Sequence, residues 1–132
     1  MHYFEYGDKE IEHLKENDLV LGRAIDEIGM IKRPIEPDIF SSLISSVIGQ
    51  PISNQAALTV KMRFLNLVGE ITPKNIVNTR ITDIQQCGMT MRKAEYIKGI
   101  AESVMRKEID FETLKKLPDK EVITKLTQLK GI

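Results

Sequence analysis

The chain has 132 residues, 42% hydrophobic and 29% charged, the mix of an ordinary folded domain rather than a disordered or fibrous chain. Its 19 Lys and Arg balance 19 Asp and Glu, so no global basic excess advertises nucleic acid, and any positive surface must be local. The lone cysteine, Cys87, excludes an internal disulfide, has no Cys or His partner at metal-ligand spacing, and fits a reducing cytosol.

The opening "MHYFEYGDKEIEHLKEN" is too polar and acidic for a signal peptide. Within it "DKEIEHLKEN" reads as a short polar helix with Asp8 as its cap. "DLVLGRAIDEIG" sets Leu21, Ala24, Ile25 and Ile28 on one helical face and stops at Gly29. "RPIEP" reads as an extended connector, because a residue preceding proline avoids the helical region. In "DIFSSLISSVIG" the apolar face is Phe40, Leu43, Ile44, Val47 and Ile48, opposite four serines that permit a close neighbour. "GQP" breaks that helix, and Ser53 caps a long one with Ala57, Val60, Phe64 and Val68 inward and Gly69 as its stop.

Thr72-Pro73 opens a short helix, and Thr82 opens another. Thr90 caps "MRKAEYIKGIAESVMRKE", whose buried stripe is Ala94, Ile97, Ala101, Val104 and Met105. Asp110 caps "FETLKKL", and Pro118-Asp119 starts the last helix. Val and Ile fall at helical rather than alternating spacing, so no strand is expected, and no apolar run is long enough to span a bilayer. The predicted fold class is all-α, with residues 1–34 forming N-terminal helices and a connector and residues 35–132 a helical subdomain.

Three segments carry candidate chemistry. In "VIGQPISNQAA" a helix ends at Gly49, and a polar turn presents Gln50, Pro51 and Ser53. Gln50 offers a donor and an acceptor, suited to a base edge, and the following helix start suits a phosphate. The same residues also suit a plain interhelical turn. In "CGMTMRKAEYI" Gly88 and Met89 form a turn, and Arg92 and Lys93 oppose the dipole of the helix they begin. Such cations suit phosphates outside, or a solvated surface. The third segment, "LTQLKGI", is a helix running into Lys130, Gly131 and Ile132, the opening of a helix-hairpin-helix or any helix end. His2 and His13 lie in polar surroundings, and phosphate-loop, dinucleotide and serine-nucleophile fingerprints are missing.

Taken in order, the three segments resemble the helix-hairpin-helix superfamily of DNA base-excision glycosylases, and most closely its DNA-3-methyladenine glycosylase II branch. "IGQPISNQAA" is similar to that branch's Ile-Gly-Gln-Gln-Ile-Ser-x-x-Ala-Ala signature, and "CGMTMRKAEYIKGIA" to its Gly-Met-x-x-x-Lys-Ala-Glu-x-Ile-x-x-Leu-Ala segment. "LTQLKGI" is similar to the Leu-x-x-Leu-Pro-Gly-Ile that opens its hairpin. The resemblance covers residues 37–132 well and the first 33 loosely.

The resemblance implies base-excision repair of double-stranded DNA carrying alkylated bases. A damaged purine is flipped out and its N-glycosidic bond hydrolysed, without cofactor or metal. It implies a wedge at Gln50 and Pro51, with Pro51 departing from the usual Gln or Leu. It places Met89 in a second loop toward the opposite strand. Lys130, Gly131 and Ile132 would start the phosphate-binding turn, with Lys130 replacing the usual proline. The family's catalytic Asp lies past the hairpin, so no catalytic residue is expected within residues 1–132. The chain then reads as truncated at the start of the hairpin and inactive by itself, with a non-catalytic DNA-binding or self-associating module as the alternative. Loss of the C-terminal helices would expose an apolar face open to self-association. The expected location is the cytoplasm, on the nucleoid. Gln50, Pro51, Met89 and Gly131 are expected on one side of the molecule.

Overall fold

Apolar residues recur every three or four positions along the two longest helical segments. In the computed structural model, which describes all 132 residues, those positions form the core of the larger of two compact units, Asp38–Ile132. Helix α3 (Ile39–Ile48) buries Phe40, Ile44, Val47 and Ile48, and α4 (Asn54–Val68) buries Ala57, Val60, Phe64 and Val68. Short helices α5 (Pro73–Val77) and α6 (Ile81–Gln85) each insert one isoleucine, Ile76 and Ile84, with no exposed surface. Helix α7 (Met91–Met105) is the hub, packing against α3, α5 and α6 through Ala94, Ile97, Ile100 and Ala101. Helices α8 (Phe111–Leu114) and α9 (Asp119–Leu126) complete the unit.

Two details of this unit differ from the sequence reading. Ile100, rather than Met105, belongs to the buried stripe of α7, and Met105 is half exposed at 50%. Val104 still packs half-buried against the core, so the stripe ends one residue before Met105. Arg80, not Thr82, precedes α6, and its guanidinium pairs with Asp83 inside the first turn. The cap positions of α4, α5, α7 and α8 are as read: Ser53, Thr72, Thr90 and Asp110 each accept from a backbone N–H of their own helix.

The smaller unit, Met1–Pro37, is a helical hairpin of α1 (Asp8–Asn17) and α2 (Leu19–Ile28) with a minimal sheet. Strands β1 (His2–Tyr3) and β2 (Pro34–Ile35) pair antiparallel, His2 opposite Ile35 and Tyr3 opposite Pro34. The expected extended connector is thus one edge of a two-residue ladder. Proline is tolerated there because an edge position asks no N–H of it. Gly7, not Asp8, precedes α1, and the Glu10 carboxylate accepts from the Gly7 N–H at 2.8 Å. The Tyr6 hydroxyl closes the unit, donating to the Ile31 carbonyl at 2.6 Å and accepting from the Ile31 N–H at 2.7 Å. Only Gly22 is buried in either helix of this unit, while Leu19, Val20, Ile28 and Met30 remain more than 60% exposed.

The balanced charge of the whole chain conceals a division. Residues 1–37 hold 5 Lys and Arg against 9 Asp and Glu, a net of −4. Residues 38–132 hold the remaining 14 against 10, a net of +4. The larger unit is therefore a basic body. No helix is long and apolar enough to cross a membrane.

Candidate nucleic-acid interface

The turn between α3 and α4 is built by local hydrogen bonds. Gly49 N–H donates to Ser45, Gln50 N–H to Val47, and Ile52 N–H to Gly49. Ser53 then starts α4 by accepting from Ala56 N–H at 3.1 Å. Gln50, Pro51 and Ser53 are all exposed, so the two turn residues face outward, while the Ser53 hydroxyl serves its own helix.

The second turn follows α6. Gly88 takes φ +116°, a conformation L side chains rarely adopt, and a Cβ there would approach Val60 Cγ2 to 3.3 Å. Arg63 of α4 spans the turn, donating to the Cys87 carbonyl at 3.5 Å. Met89 is half-buried and packs against the core. Thr90 caps α7 by accepting from Lys93 N–H at 3.1 Å.

The two sequence-assigned cations on α7 behave differently. Arg92 is exposed and holds no acid or carbonyl partner. The Lys93 ammonium turns inward and donates to the Ile48 carbonyl at 3.0 Å and to the Gln50 carbonyl. Burial pushes its pKa below the ordinary lysine value.

The terminal turn docks on the same helix. Ile132 N–H donates to the Leu129 carbonyl at 3.3 Å, closing a four-residue turn with Gly131 at φ +97° in its third position. That is where type II turns demand glycine. A Cβ on Gly131 would fall 2.6 Å from the Tyr96 ring, so the ring also excludes any larger residue. Leu129, rather than Ile132, anchors this turn against the core; Ile132 is 38% exposed. Lys130 is exposed and unpaired.

Lys93 touches the Gln50 turn and Tyr96 touches the Gly131 turn. They stand three residues apart on α7, on one face and about 4.5 Å apart along its axis. Met89 precedes the same helix end. The first two turns of α7 thus gather all three sequence-assigned segments.

Tyr96, Arg63 and Lys98 are the contributors that sequence reading missed. Lys98 donates to the Thr79 carbonyl beyond α5, as Lys93 does beyond α3 and Arg63 beyond α6. All three cations meet the negative end of a helix, where unpaired carbonyls gather. Their spacing in sequence carries no signal of this, because each partner lies 19 to 45 residues away.

A cavity of about 700 Å3 opens between α7 and the end of α9, lined by Ile100, Ile109 and Leu129 with Arg106, Glu108 and Asp110 among its polar residues. Two of its three carboxylates are engaged, and the third, Glu95, is exposed. Glu108 pairs with Arg106 at 2.7 Å, and Asp110 caps α8 and accepts from the Thr113 hydroxyl at 3.0 Å. Those partners hold both pKa values below their usual range, so neither stores a proton for acid catalysis at neutral pH. No group of three or more His, Cys, Asp and Glu side chains converges as a metal site would.

The family described as HhH-GPD superfamily base excision DNA repair protein matches residues 44–129, which include two of the three turns. The chain is similar to the DNA-3-methyladenine glycosylase of Bacillus subtilis (strain 168), 31% identical over 108 residues, 73% of this chain and 36% of that protein. It is 34% identical over 105 residues to the DNA-3-methyladenine glycosylase of Saccharomyces cerevisiae, covering 72% of this chain and 36% of that protein. Among solved structures, the 3-methyladenine DNA glycosylase of Schizosaccharomyces pombe in complex with abasic DNA superposes with a TM-score of 0.84 at 30% identity. That match covers 94% of this chain and 64% of the other. The chain spans about a third of the length of these two curated relatives.

Proposed function

The chain belongs to the HhH-GPD superfamily of base excision DNA repair proteins, and we propose that it forms the DNA-gripping helical part of a glycosylase for alkylated purines. The observation that carries this reading is the gathering of the Gln50, Met89 and Gly131 turns around the start of α7, in a unit of net charge +4. A flipped nucleotide leaves a gap in the stack whose opening costs a few kcal/mol. Gln50 and Pro51, exposed on a short turn, are sited to fill such a gap, and Arg92 and Lys130 are free to neutralise phosphates on either side.

An alkylated purine already carries positive charge and leaves readily. The chemistry remaining is stabilisation of an oxocarbenium-like sugar and delivery of water. In the family the Asp for that step stands past the hairpin, which would put it outside residues 1–132. We therefore expect these residues alone to bind DNA without excising a base. Binding to a duplex with an abasic site, compared with an intact duplex over a range of salt, tests the grip. A preference for the abasic duplex is expected, and no binding at low salt would refute it. Release of 3-methyladenine from alkylated duplex by residues 1–132 would refute the assignment of chemistry elsewhere.

A second reading, self-association, is favoured by the exposed Leu19, Val20, Ile28 and Met30 of the small unit. That unit's net charge of −4 opposes pairing of two copies through this face, so added salt should promote any dimer. Sedimentation velocity at low and high salt decides it. A monomer at both would eliminate this reading.

A further inference from the structure

We propose that Lys93 is a positioning residue whose ammonium pins the carbonyls of the α3–α4 turn and so fixes where Gln50 and Pro51 stand. The inference rests on reading that turn as a DNA-facing element.

The sequence carries an oddity at this position. Lys93 is the third residue of α7, where a cation opposes the helix dipole. Something must offset that cost. Helix α3 ends against this point with its carbonyls pointing out, and neither the Ile48 nor the Gln50 carbonyl receives a backbone N–H. The Lys93 ammonium supplies the missing donor to both. One side chain thus satisfies two orphan acceptors on a segment 43 to 45 residues earlier. No carboxylate shares the site, and burial alone moves the pKa, downward.

The geometry separates this role from a phosphate contact. The turn's own bonds span only three or four residues and tie it only to the two helices it joins, α3 and the start of α4. The Lys93 contacts tie it to α7, the helix that also carries Tyr96 beneath the Gly131 turn. The register between the two turns therefore passes through one helix face. Arg92, the neighbouring cation, lacks such partners and faces out.

The test uses the full chain and the variants Lys93→Met, Lys93→Gln and Arg92→Met. Lys93→Met keeps the apolar stem and removes all donors. Hydrogen exchange without DNA should show the Gln50 and Ile52 amides at least tenfold faster, with Phe64 and Ile97 unchanged. Lys93→Gln, which retains donors, should fall between wild type and Lys93→Met. On DNA, Lys93→Met should lose several-fold of the preference for an abasic duplex while keeping the wild-type salt slope. Arg92→Met should instead lower that slope by about 0.9. A fall of about 0.9 in Lys93→Met with the turn amides unchanged would make Lys93 a phosphate contact and overturn the inference. Unchanged exchange in both Lys93 variants would overturn it as well. If the wild-type chain binds no DNA, the functional reading fails, and the exchange measurement still judges Lys93. If Lys93→Met does not fold, Lys93→Gln carries the same exchange criterion.

Discussion

Replacing Lys107 by glycine should stabilise the protein, and the structure supplies both terms of the estimate. Lys107 is the one non-glycine residue with positive φ, at 59°. It follows the C-cap of α7, and its own N–H donates to the Val104 carbonyl at 3.0 Å while Glu108 N–H donates to the Ser103 carbonyl at 3.0 Å. That bond pair is the Schellman arrangement, which favours glycine at this position. A left-handed L-residue costs roughly 1–2 kcal/mol, which the substitution removes. Glycine's extra freedom in the unfolded chain returns about 0.5–1 kcal/mol of that. The net expectation is about 0.5–1 kcal/mol of added stability. Lys107 makes no ion pair whose loss would offset it. For a unit of this size the thermal midpoint should rise by about 2–6 °C, read by circular dichroism. Lys107→Ala keeps the strained backbone and should stay near wild type. A midpoint for Lys107→Gly at or below that of Lys107→Ala would refute the reasoning.

Gly131→Ala places a methyl group on the Tyr96 ring at 2.6 Å and should undock the terminal turn. In a Tyr96→Ala background only the backbone strain remains, so a double-mutant cycle should return a coupling of about 1–3 kcal/mol; zero coupling would mean the ring is not the obstacle. Burial pushes the Cys87 thiol up, so it should react with a maleimide at pH 8 at least tenfold slower than in denaturant. Because the folded pKa is raised, its contribution to stability is full below about 8.5 and is lost as pH rises through the folded value; a Cys87→Ala variant should lack that alkaline loss. Glu10, Glu108 and Asp110 are all held below their usual range by hydrogen-bond donors. Their contribution is present above about pH 4.3 and is lost as pH falls through the lowered values, so urea midpoints should drop below pH 4 and drop less in Asp110→Asn.

The helices and most of the core were legible in the sequence. Spacing of apolar residues in α3 and α4 named Phe40, Leu43, Ile44, Val47, Ile48, Ala57, Val60, Phe64 and Val68, and all are buried except Leu43, which is half-buried against the core. Caps at Ser53, Thr72, Thr90 and Asp110 were legible for the same reason: a cap and its N–H partner lie two or three residues apart. The ordered motifs also named the family, which the match over residues 44–129 establishes. Local rules failed where partners are distant in the chain. Nothing between residues 48 and 93 announces that the Lys93 ammonium belongs to the Ile48 and Gln50 carbonyls rather than to solvent. Nor does "LKGI" disclose the Tyr96 ring that forbids a side chain at Gly131. The paired ends of β1 and β2 bring residue 2 to residue 35, a separation no short-range pattern encodes. The sequence fixes which side chains want burial or a cap, because those needs are met within a turn of helix. Only tertiary packing decides which helix end meets which cation, because that choice depends on elements brought together across the fold.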